Sequence, residues 1–534
     1  MPSPTAETAD AVVIGGGPNG LVAAITLADA GWDVVLLEAR DKVGGAVSSL
    51  RRDGWVMDEF SACYPLAVAS PVMTRLGLED HGLRWANSEL VVTHPGGPDD
   101  PNGASLYGDP KRTAAGLDEE HSGDGQAWLD LVAHYDRIKG PFLDALLTRW
   151  PPVEAATRLA RTVGAADLPD LARFFLLPIT RMGEELFGGQ RGRLLLAGNA
   201  MHADIPPEAP GSGLFGWLMT MLAQDVGFPS PQGGAGMLAE ALAARARAAG
   251  VEIRTDARVD HVDVDVAGGR ASVVRVDGGP AVRARRAVIA DTSAAMLYQQ
   301  LLGAAAVPAP VRDRLKDFAW DLPTVKLNYR LRATPPWTAI DARGAGVVHA
   351  GGDVDDIVHW SADLATRTVP QHPFALVGQM STIDPSRSPA GTEAFWLYTH
   401  LPRGVTDDES ADRLVESSEG MMDAYAPGWR DLVIDRWVQR PSDLAAADAN
   451  LVGGAVNGGT AQLFQQLLFR PVTGLGGPRT PVDGLYLGSA AIHPGGGVHG
   501  SCGYLAARAA LGDARWWARP LSGAWRSAQR RVEA

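Results

Sequence analysis

Three glycines near the amino terminus have the spacing of a phosphate-binding turn. Gly15, Gly17 and Gly20 form a G-x-G-x-x-G pattern, which follows the apolar strand predicted from Ala11 to Ile14. In such a turn the first glycine allows a tight bend, the second lets the backbone approach a pyrophosphate, and the third lets the helix pack on the strand. The helix amino terminus then offers N–H groups and a partial positive charge to the phosphates. The pattern predicts a dinucleotide site.

An acidic residue follows at the distance that such a site requires. A helix predicted from Leu21 to Ala30 ends before Gly31, and a second apolar strand, Val34 to Leu37, leads into Glu38. A carboxylate roughly 20 residues after the turn can accept hydrogen bonds from ribose hydroxyls. Because strand, turn, helix and acid agree, we expect an adenine dinucleotide rather than an ordinary strand-to-helix turn. The other residues predicted to contact it here are Pro18, Asn19, Ala39 and Arg40.

Two further glycine-rich segments indicate which dinucleotide is bound. Gly44 and Gly45 come shortly after the acid and are followed by Ala46. Near the carboxyl end, a predicted strand from Leu485 to Leu487 enters a glycine-dense loop and then a helix from about Ser501 to Leu511. The amides of this loop could hydrogen-bond the pyrimidine edge of a flavin. The residues of this segment predicted to contact the cofactor are Gly488, Ser489, Gly496, Gly497, Val498 and His499.

These motifs resemble those of the GG-type flavoproteins. Within this group the resemblance is to phytoene desaturase-like FAD-dependent oxidoreductases, the branch with carotenoid desaturases, retinol saturases and PYROXD2-like proteins. The middle motif of this branch resembles Pro231 to Met237, and the run before its closing motif resembles Leu463 to Pro471. Many GG-type members carry Arg after the glycine pair, so Ala46 favours this branch over the amine oxidases. The resemblance implies FAD as the cofactor. It also implies an α/β fold, in which a Rossmann-like FAD-binding domain carries an inserted α+β substrate domain.

The positions of the motifs divide the chain into alternating parts. The FAD-binding domain is expected to be assembled from residues 1–90, 231–300 and 470–534, the last of which includes a C-terminal helix. Residues 91–230 are expected to form a mainly helical substrate or lid region, and residues 301–469 a substrate domain with an antiparallel sheet. At 534 residues the chain exceeds the usual size of one core, which agrees with more than one domain.

Within the two insertions, several local patterns predict secondary structure. A loop rich in Gly, Pro and Asp is predicted from His94 to Asp124, and helices are predicted from Trp128 to Leu147 and from Leu171 to Phe187. Strands are predicted at Val325 to Leu331 and at Ala394 to Tyr398. Together they suggest a sheet covered by helices.

Composition limits the partners and the compartment. The net charge of −14 argues against nucleic acid, because phosphate binding needs clustered Lys and Arg. Cys63 and Cys502 form no C-x-x-C motif, so neither a redox dithiol nor a metal site is indicated. No signal peptide or membrane span is visible, so a cytoplasmic protein is expected. Peripheral membrane contact stays open because Trp516, Trp517 and Trp525 lie beside arginines.

The chain has one dinucleotide fingerprint, which constrains the electron path. Reductases of the two-domain type need a second such unit for a pyridine nucleotide, so electrons are expected to come from the substrate and to leave to oxygen or a quinone. The resemblance implies dehydrogenation, saturation or isomerisation of a carbon–carbon bond in a hydrophobic, polyene-like or lipid-like molecule, with hydride transfer to flavin N5. Candidate pocket residues are Phe215, Trp217, Leu218, Met219, Trp396 and Tyr398.

Few residues are candidates for handling protons. His493 and His499 flank the triple glycine of the closing motif, and a histidine can titrate near neutral pH. His202 and Asp204 precede a break rich in Pro and Gly. Two other functions stay open: a flavin amine oxidase, and a non-catalytic module on the same fold that binds a prenyl lipid or a protein. The oligomeric state is not predicted.

Overall fold

The computed structural model describes residues 7–265 and 269–514. The tryptophan-rich segment near the carboxyl end lies outside this part. The strands are β1 (Glu7–Ile14), β2 (Val34–Leu37), β3 (Ser49–Arg52), β4 (Trp55–Asp58), β5 (Trp85–Ala86), β6 (Leu90–His94), β7 (Ala104–Tyr107), β8 (Ser230–Pro231), β9 (Glu252–Arg254), β10 (Val259–Asp265), β11 (Arg270–Val276), β12 (Val282–Ala290), β13 (Thr324–Leu331), β14 (Val347–Ala350), β15 (Ala375–Gln379), β16 (Glu393–His400), β17 (Val433–Gln439) and β18 (Leu485–Leu487).

The α-helices lie between these strands along the chain, and α4 to α10 follow one another without a strand between them. They are α1 (Pro18–Asp29), α2 (Pro65–Ala69), α3 (Pro71–Thr74), α4 (Pro110–Asp118), α5 (Asp124–Leu147), α6 (Val153–Val163), α7 (Leu168–Leu176), α8 (Ile179–Leu186), α9 (Gln190–Ala200), α10 (Ser212–Val226), α11 (Gly236–Ala248), α12 (Ala309–Arg314), α13 (Val354–Ala365), α14 (Met380–Ile383), α15 (Asp408–Tyr425), α16 (Pro441–Ala447) and α17 (Ser501–Asp513).

The first sheet is built from both ends and the middle of the chain. Its parallel part has the order β18-β12-β1-β2-β9, and β10 and β11 extend it as antiparallel strands beside β12. The strands read as nearly continuous apolar runs because the sheet is covered on both faces. Helices α1, α11 and α17 pack on one face through small and aliphatic side chains such as Leu21, Leu238 and Ala507. The glycine motifs follow the carboxyl ends of these strands, where open α/β sheets bind ligands.

The second sheet forms the substrate half of the molecule. Its seven strands have the order β17-β13-β16-β15-β14-β6-β7 and are antiparallel except for the pair β14 and β6. Residues directly opposite one another share a face of a sheet. Lys326, Tyr398, Leu376 and His349 stand opposite one another across β13, β16, β15 and β14. The opposite face packs on α15.

Local predictions in the first insertion need three corrections. The stretch from His94 to Asp124 is not only a loop, because it contains β7 and α4. The region predicted as mainly helical also supplies β6 and β7 to the substrate sheet, a long-range pairing that local composition does not reveal. The single helix predicted from Leu171 to Phe187 is two helices, α7 and α8. They are separated at Pro178, which cannot donate a helical hydrogen bond.

The other strands and helices predicted within the described residues lie where the sequence placed them, and most are longer by a few residues. The predicted C-terminal helix beyond α17 lies outside the described residues. Among the described helices none combines the length and the apolar character needed to cross a membrane.

Candidate functional site

The first glycine turn packs closely against Asp291, the residue that follows β12. Gly15 has φ +94°, and a Cβ there would lie 2.7 Å from the carbonyl oxygen of Asp291. A Cβ at Gly20 would lie 2.1 Å from the carbonyl oxygen of Gly15. Only glycine fits either position. Helix α1 begins at Pro18, within the turn and three residues before the predicted start at Leu21.

Glu38 is buried at the end of β2, beside this turn. Its Oε2 accepts the Gly16 N–H at 2.7 Å, and its Oε1 accepts the Arg40 N–H at 2.8 Å. A carboxylate offers about four lone-pair sites, so two backbone bonds leave capacity for ribose hydroxyls. The neighbouring Ala39 is exposed.

The two ends of the chain meet at the amino terminus of α1. In α17, a Cβ at Gly503 would lie 1.8 Å from the carbonyl oxygen of Asn19, so the two helices touch backbone to backbone. The closing motif is anchored to the end of β12, where Gly488 N–H donates to Ala290 and the Ser489 hydroxyl donates to the Thr292 carbonyl.

The second glycine pair completes this convergence. A Cβ on Gly45 would lie 3.4 Å from the Cα of Gly17, and Gly44 N–H donates to Gly16 at 2.8 Å. Backbone from residues near 15, 45 and 490 therefore encloses one region, although these segments are far apart in sequence.

Asp291 is a residue of this region that the sequence reading missed. It follows β12, is buried, and its Oδ2 accepts the Gly20 N–H at 2.7 Å at the amino terminus of α1. Burial raises the pKa of Asp291 to about 7, with Asp448 and Glu38 adding to this rise and the Gly20 N–H opposing it. Its position after a parallel strand could have identified it, because the ends of such strands meet at one edge.

A cavity of about 320 Å³ extends from the glycine segments into the substrate half. At one end it is lined by Ala46 and by Gly496 to His499 of the closing motif. Most of its other walls are apolar or aromatic. The predicted pocket residues found among them are Phe215, Leu218, Met219, Trp396 and Tyr398. Trp217 is the exception, because its ring is fully buried among the side chains of α5 and α7.

The floor of the cavity is the face of the second sheet that carries Lys326 and Tyr398. Trp396 lies on the same face and crosses Gly378, where a Cβ would come within 2.2 Å of the indole. Glycine at this position on β15 therefore allows the indole to lie flat against the sheet.

Lys326 is a buried amine that the sequence reading also missed. Its Nζ donates to the carbonyl oxygens of Asp58 at 2.6 Å and Phe60 at 3.0 Å. Burial lowers the pKa of Lys326 to about 8, against the opposing effect of the Asp58 carboxylate. Two of its three hydrogen-bonding positions are used by carbonyls, and it lines the cavity. Side chains alternate between the two faces of β13, but the sequence does not show that the face of Lys326 borders a cavity.

The two histidines of the closing motif differ in their surroundings. His499 lines the cavity, but its Nδ1 accepts the Ser501 N–H at 3.0 Å and its Nε2 lies 3.1 Å from the Gly495 carbonyl. Nε2 is therefore the protonated nitrogen, and both ring nitrogens hold the loop. His493 is not among the cavity-lining residues, and its Nε2 lies 3.0 Å from the Thr148 carbonyl. Burial lowers the pKa of both to about 4.

His202 and Asp204 lie side by side but face different neighbours. His202 lines the cavity, and its Nε2 is 3.1 Å from Nε2 of His349. Asp204 is buried in an ion pair, 2.8 Å from Nε2 of His400, and accepts a hydrogen bond from Asn457. Although burial alone lowers the pKa of His400, the nearby carboxylates raise it above its usual value.

Arg470 holds the loop that faces the closing motif. Its guanidinium is buried and donates to five carbonyl oxygens, those of Asn457, Gly458, Gly459, Thr460 and Ala490. The loop also contacts the motif directly, since a Cβ at Gly496 would lie 2.8 Å from the Asn457 carbonyl oxygen. Arg470 therefore fixes one wall of the cavity. Arg470 lies in the segment from Leu463 to Pro471 that resembles the run before the closing motif, but the sequence alone indicates no role for this arginine.

These observations fit a bound FAD. The amino terminus of α1 offers the N–H groups of Gly17 and Asn19 to a pyrophosphate, and Pro18 between them sets the helical backbone without supplying a donor. The remaining acceptor capacity of Glu38 suits a ribose. Gly44 to Ala46 and Gly496 to His499 place backbone on two sides of the cavity end, where the ring system would lie. At Gly44 and Gly496 a Cβ would crowd neighbouring backbone, so these segments present main-chain groups, which suits a flat ligand.

Comparison with known proteins agrees with this geometry. The family model described as "Flavin containing amine oxidoreductase" matches residues 19–511. The chain is 30% identical over 548 residues to pyridine nucleotide-disulfide oxidoreductase domain-containing protein 2 of Rattus norvegicus, covering 94% of this chain and 93% of the rat protein.

More distant similarities point the same way. A zeta-carotene-forming phytoene desaturase of Myxococcus xanthus is 26% identical over 517 residues, covering 91% of this chain and 90% of that protein. The crystal structure of an oxidoreductase from Methanosarcina mazei shares the fold, with a TM-score of 0.62 at 16% identity, over 94% of this chain and 99% of that chain. The chain therefore belongs to the flavin-containing amine oxidoreductase family and is an oxidoreductase with FAD as its cofactor.

Proposed function

We propose that this enzyme dehydrogenates a carbon–carbon bond of an apolar small molecule. The observation that carries the proposal is the cavity that runs from the glycine segments at Ala46 and Gly497 to the aromatic floor at Trp396 and Tyr398. Bound FAD supplies an acceptor for the hydride equivalent at its N5. The substrate loses that hydride and a proton from the adjacent carbon, which leaves a new double bond.

The lining of the cavity favours an apolar substrate over an amine. An amine that is protonated at neutral pH loses its water on entering a cavity, and an opposite charge is the strongest replacement for that water. Among the described residues that line the cavity there is no Asp or Glu, and a lysine lies on the floor. A cationic substrate would therefore meet a like charge or a neutral amine, whereas an apolar chain would be buried against side chains such as Phe215 and Leu218.

Lys326 is the group best placed to receive the proton. In its neutral form the amine donates to the carbonyls of Asp58 and Phe60, and its lone pair is then left for the cavity. Because its lowered pKa lies at about 8, an appreciable neutral fraction exists near physiological pH. His499 holds the closing motif with both nitrogens and acts through positioning. Asp204 likewise acts by holding Asn457 beside the cavity.

The electrons then leave to oxygen or a quinone. The fold holds one dinucleotide-binding turn in its described part, so we assign no pyridine nucleotide to the oxidative half of the reaction.

Anaerobic bleaching of the FAD-loaded enzyme tests the proposal. Polyenes, retinoids and acyl lipids are mixed with the enzyme in parallel with putrescine and other amines, and absorbance near the flavin band is followed. We expect apolar compounds to reduce the flavin and amines to leave it oxidised. Reduction by amines alone would replace the proposal with an amine oxidase. Protein that takes up no FAD at all would support the non-catalytic binding module.

A further inference from the structure

One histidine in the wall of the cavity is paired with a second, buried histidine. His202 lines the cavity and packs its ring on Phe228, with 5.1 Å between ring centroids. Its Nε2 lies 3.1 Å from Nε2 of His349, which is fully buried on β14. One of these two nitrogens must donate and the other accept.

The surroundings of His349 decide which nitrogen donates. Its Nδ1 is sealed against Gly198, where a Cβ would lie only 2.4 Å away, and it has no hydrogen-bond partner. Burial keeps the pKa of His349 well below its usual value, so the ring carries one proton. A buried N–H without a partner is rarer than a buried acceptor without one. The proton therefore lies on Nε2 and is donated to His202.

This assignment fixes the other ring as well. Since Nε2 of His202 accepts, and burial lowers the pKa of His202 to about 4, its single proton lies on Nδ1. Within residues 7–265 and 269–514 this nitrogen makes no hydrogen bond, and protein atoms do not enclose it completely. His202 thus presents an N–H to the cavity.

We propose that this N–H is a subsite for an uncharged oxygen acceptor, such as a carbonyl or ether oxygen, on the apolar substrate. The inference rests on the proposed function and adds a polar end to its substrate. A carboxylate is disfavoured at this position because a neutral imidazole offers it no counter-charge. A small number of placed polar groups is how apolar pockets orient their ligands.

The sheet register separates this subsite from Lys326. Lys326 and His349 stand opposite each other with β16 and β15 between them, so their backbones are three strand spacings or about 14 Å apart. The subsite therefore lies beside β14, whereas the proposed proton acceptor lies on β13.

Binding of matched probes to the FAD-loaded enzyme tests the subsite without any turnover. Dodecane, 2-dodecanone and dodecanoate are compared by their displacement of Nile red from the wild type, from His202→Phe and from the control His372→Gln, whose histidine is exposed. Phenylalanine keeps the aromatic contact with Phe228 and removes the donor. FAD content and melting temperature check that each variant is folded.

We expect the wild type and the control to bind 2-dodecanone about 2-fold to 10-fold more tightly than dodecane, and dodecanoate more weakly than the ketone. In His202→Phe the ketone should bind no better than dodecane, with dodecane unchanged. The carbonyl stretch of bound 2-dodecanone should fall in frequency in the wild type and not in the variant. The infrared measurement still detects the hydrogen bond if the substitution changes the affinities for dodecane and 2-dodecanone by the same factor.

Equal binding of ketone and alkane by the wild type would overturn the subsite and leave the proposed dehydrogenase intact. A ketone preference or a carbonyl shift that survives in His202→Phe would also overturn it. If no probe binds at all, the apolar cavity is not a binding site, and both this inference and the proposed function fail.

Discussion

Replacing Asp291 by Asn should make the apoprotein less sensitive to pH. The carboxyl is buried and accepts the Gly20 N–H at 2.7 Å, a bond that the amide oxygen of Asn can keep. Its folded pKa of about 7 lies above the ordinary value of 3.8. A group with a raised folded pKa stabilises the native state fully below the unfolded pKa, and this contribution is lost as pH rises through the folded pKa.

The size of the effect follows from the two pKa values. Each pH unit between them costs the native state about 1.4 kcal/mol, or about 4 kcal/mol over the whole window. Between pH 5 and pH 8 the wild type should lose about 3 kcal/mol of unfolding free energy at this residue. The amide in Asp291→Asn cannot ionise. The free energy of unfolding of this variant, relative to the wild type, should therefore rise by that amount from pH 5 to pH 8.

Urea unfolding of the FAD-free protein at pH 5 and pH 8 measures this difference. Asp260→Asn, which removes an exposed carboxylate on β10, is the matched control and should follow the wild type at both pH values. If Asp291→Asn loses as much stability as the wild type between the two pH values, Asp291 is not the neutral buried acid described above.

Three further substitutions test the site. Gly17→Val should abolish FAD uptake, because a Cβ there lies 2.8 Å from Oδ2 of Asp291, and a normal flavin absorbance in the purified variant would remove the assignment. Arg470→Met should lower the free energy of unfolding in urea by several kcal/mol, since each buried carbonyl oxygen left without its donor costs about 1–3 kcal/mol, and a total change under about 1 kcal/mol would contradict its role. In stopped-flow mixing with substrate, flavin reduction by the wild type should accelerate as pH rises through about 8, because the Lys326 amine loses its proton there. Flavin reduction by Lys326→Met should be slow and independent of pH. Identical pH profiles for the two proteins would exclude Lys326 as the proton acceptor.

The cofactor half of the site could be predicted from sequence because its signals are local. The spacing of Gly15, Gly17, Gly20 and Glu38 lies within one strand–turn–helix–strand unit, where each residue type has a separate physical reason. The closing motif was recognisable for the same reason. What local spacing could not show is that Gly503 meets Asn19, since this contact joins two helices from opposite ends of the chain.

The substrate half was harder to predict because its residues meet through pairing between distant strands. Lys326 and His349 share a face only after β13 and β14 are placed in one sheet, with β16 and β15 between them. Arg470 acts on backbone carbonyls, and no side-chain pattern in the sequence reveals such a role. Trp217 shows the converse error, since an aromatic residue next to true lining residues can point into the core.

A structure of the FAD-loaded protein would test the convergence of the three glycine segments most directly. We expect the adenosine ribose at Glu38, the pyrophosphate at the start of α1, and the flavin ring between Ala46 and the segment from Gly496 to His499, with one face on the cavity. A flavin ring bound away from this cavity, or FAD bound elsewhere on the surface, would contradict the assignment of both cofactor and substrate sites.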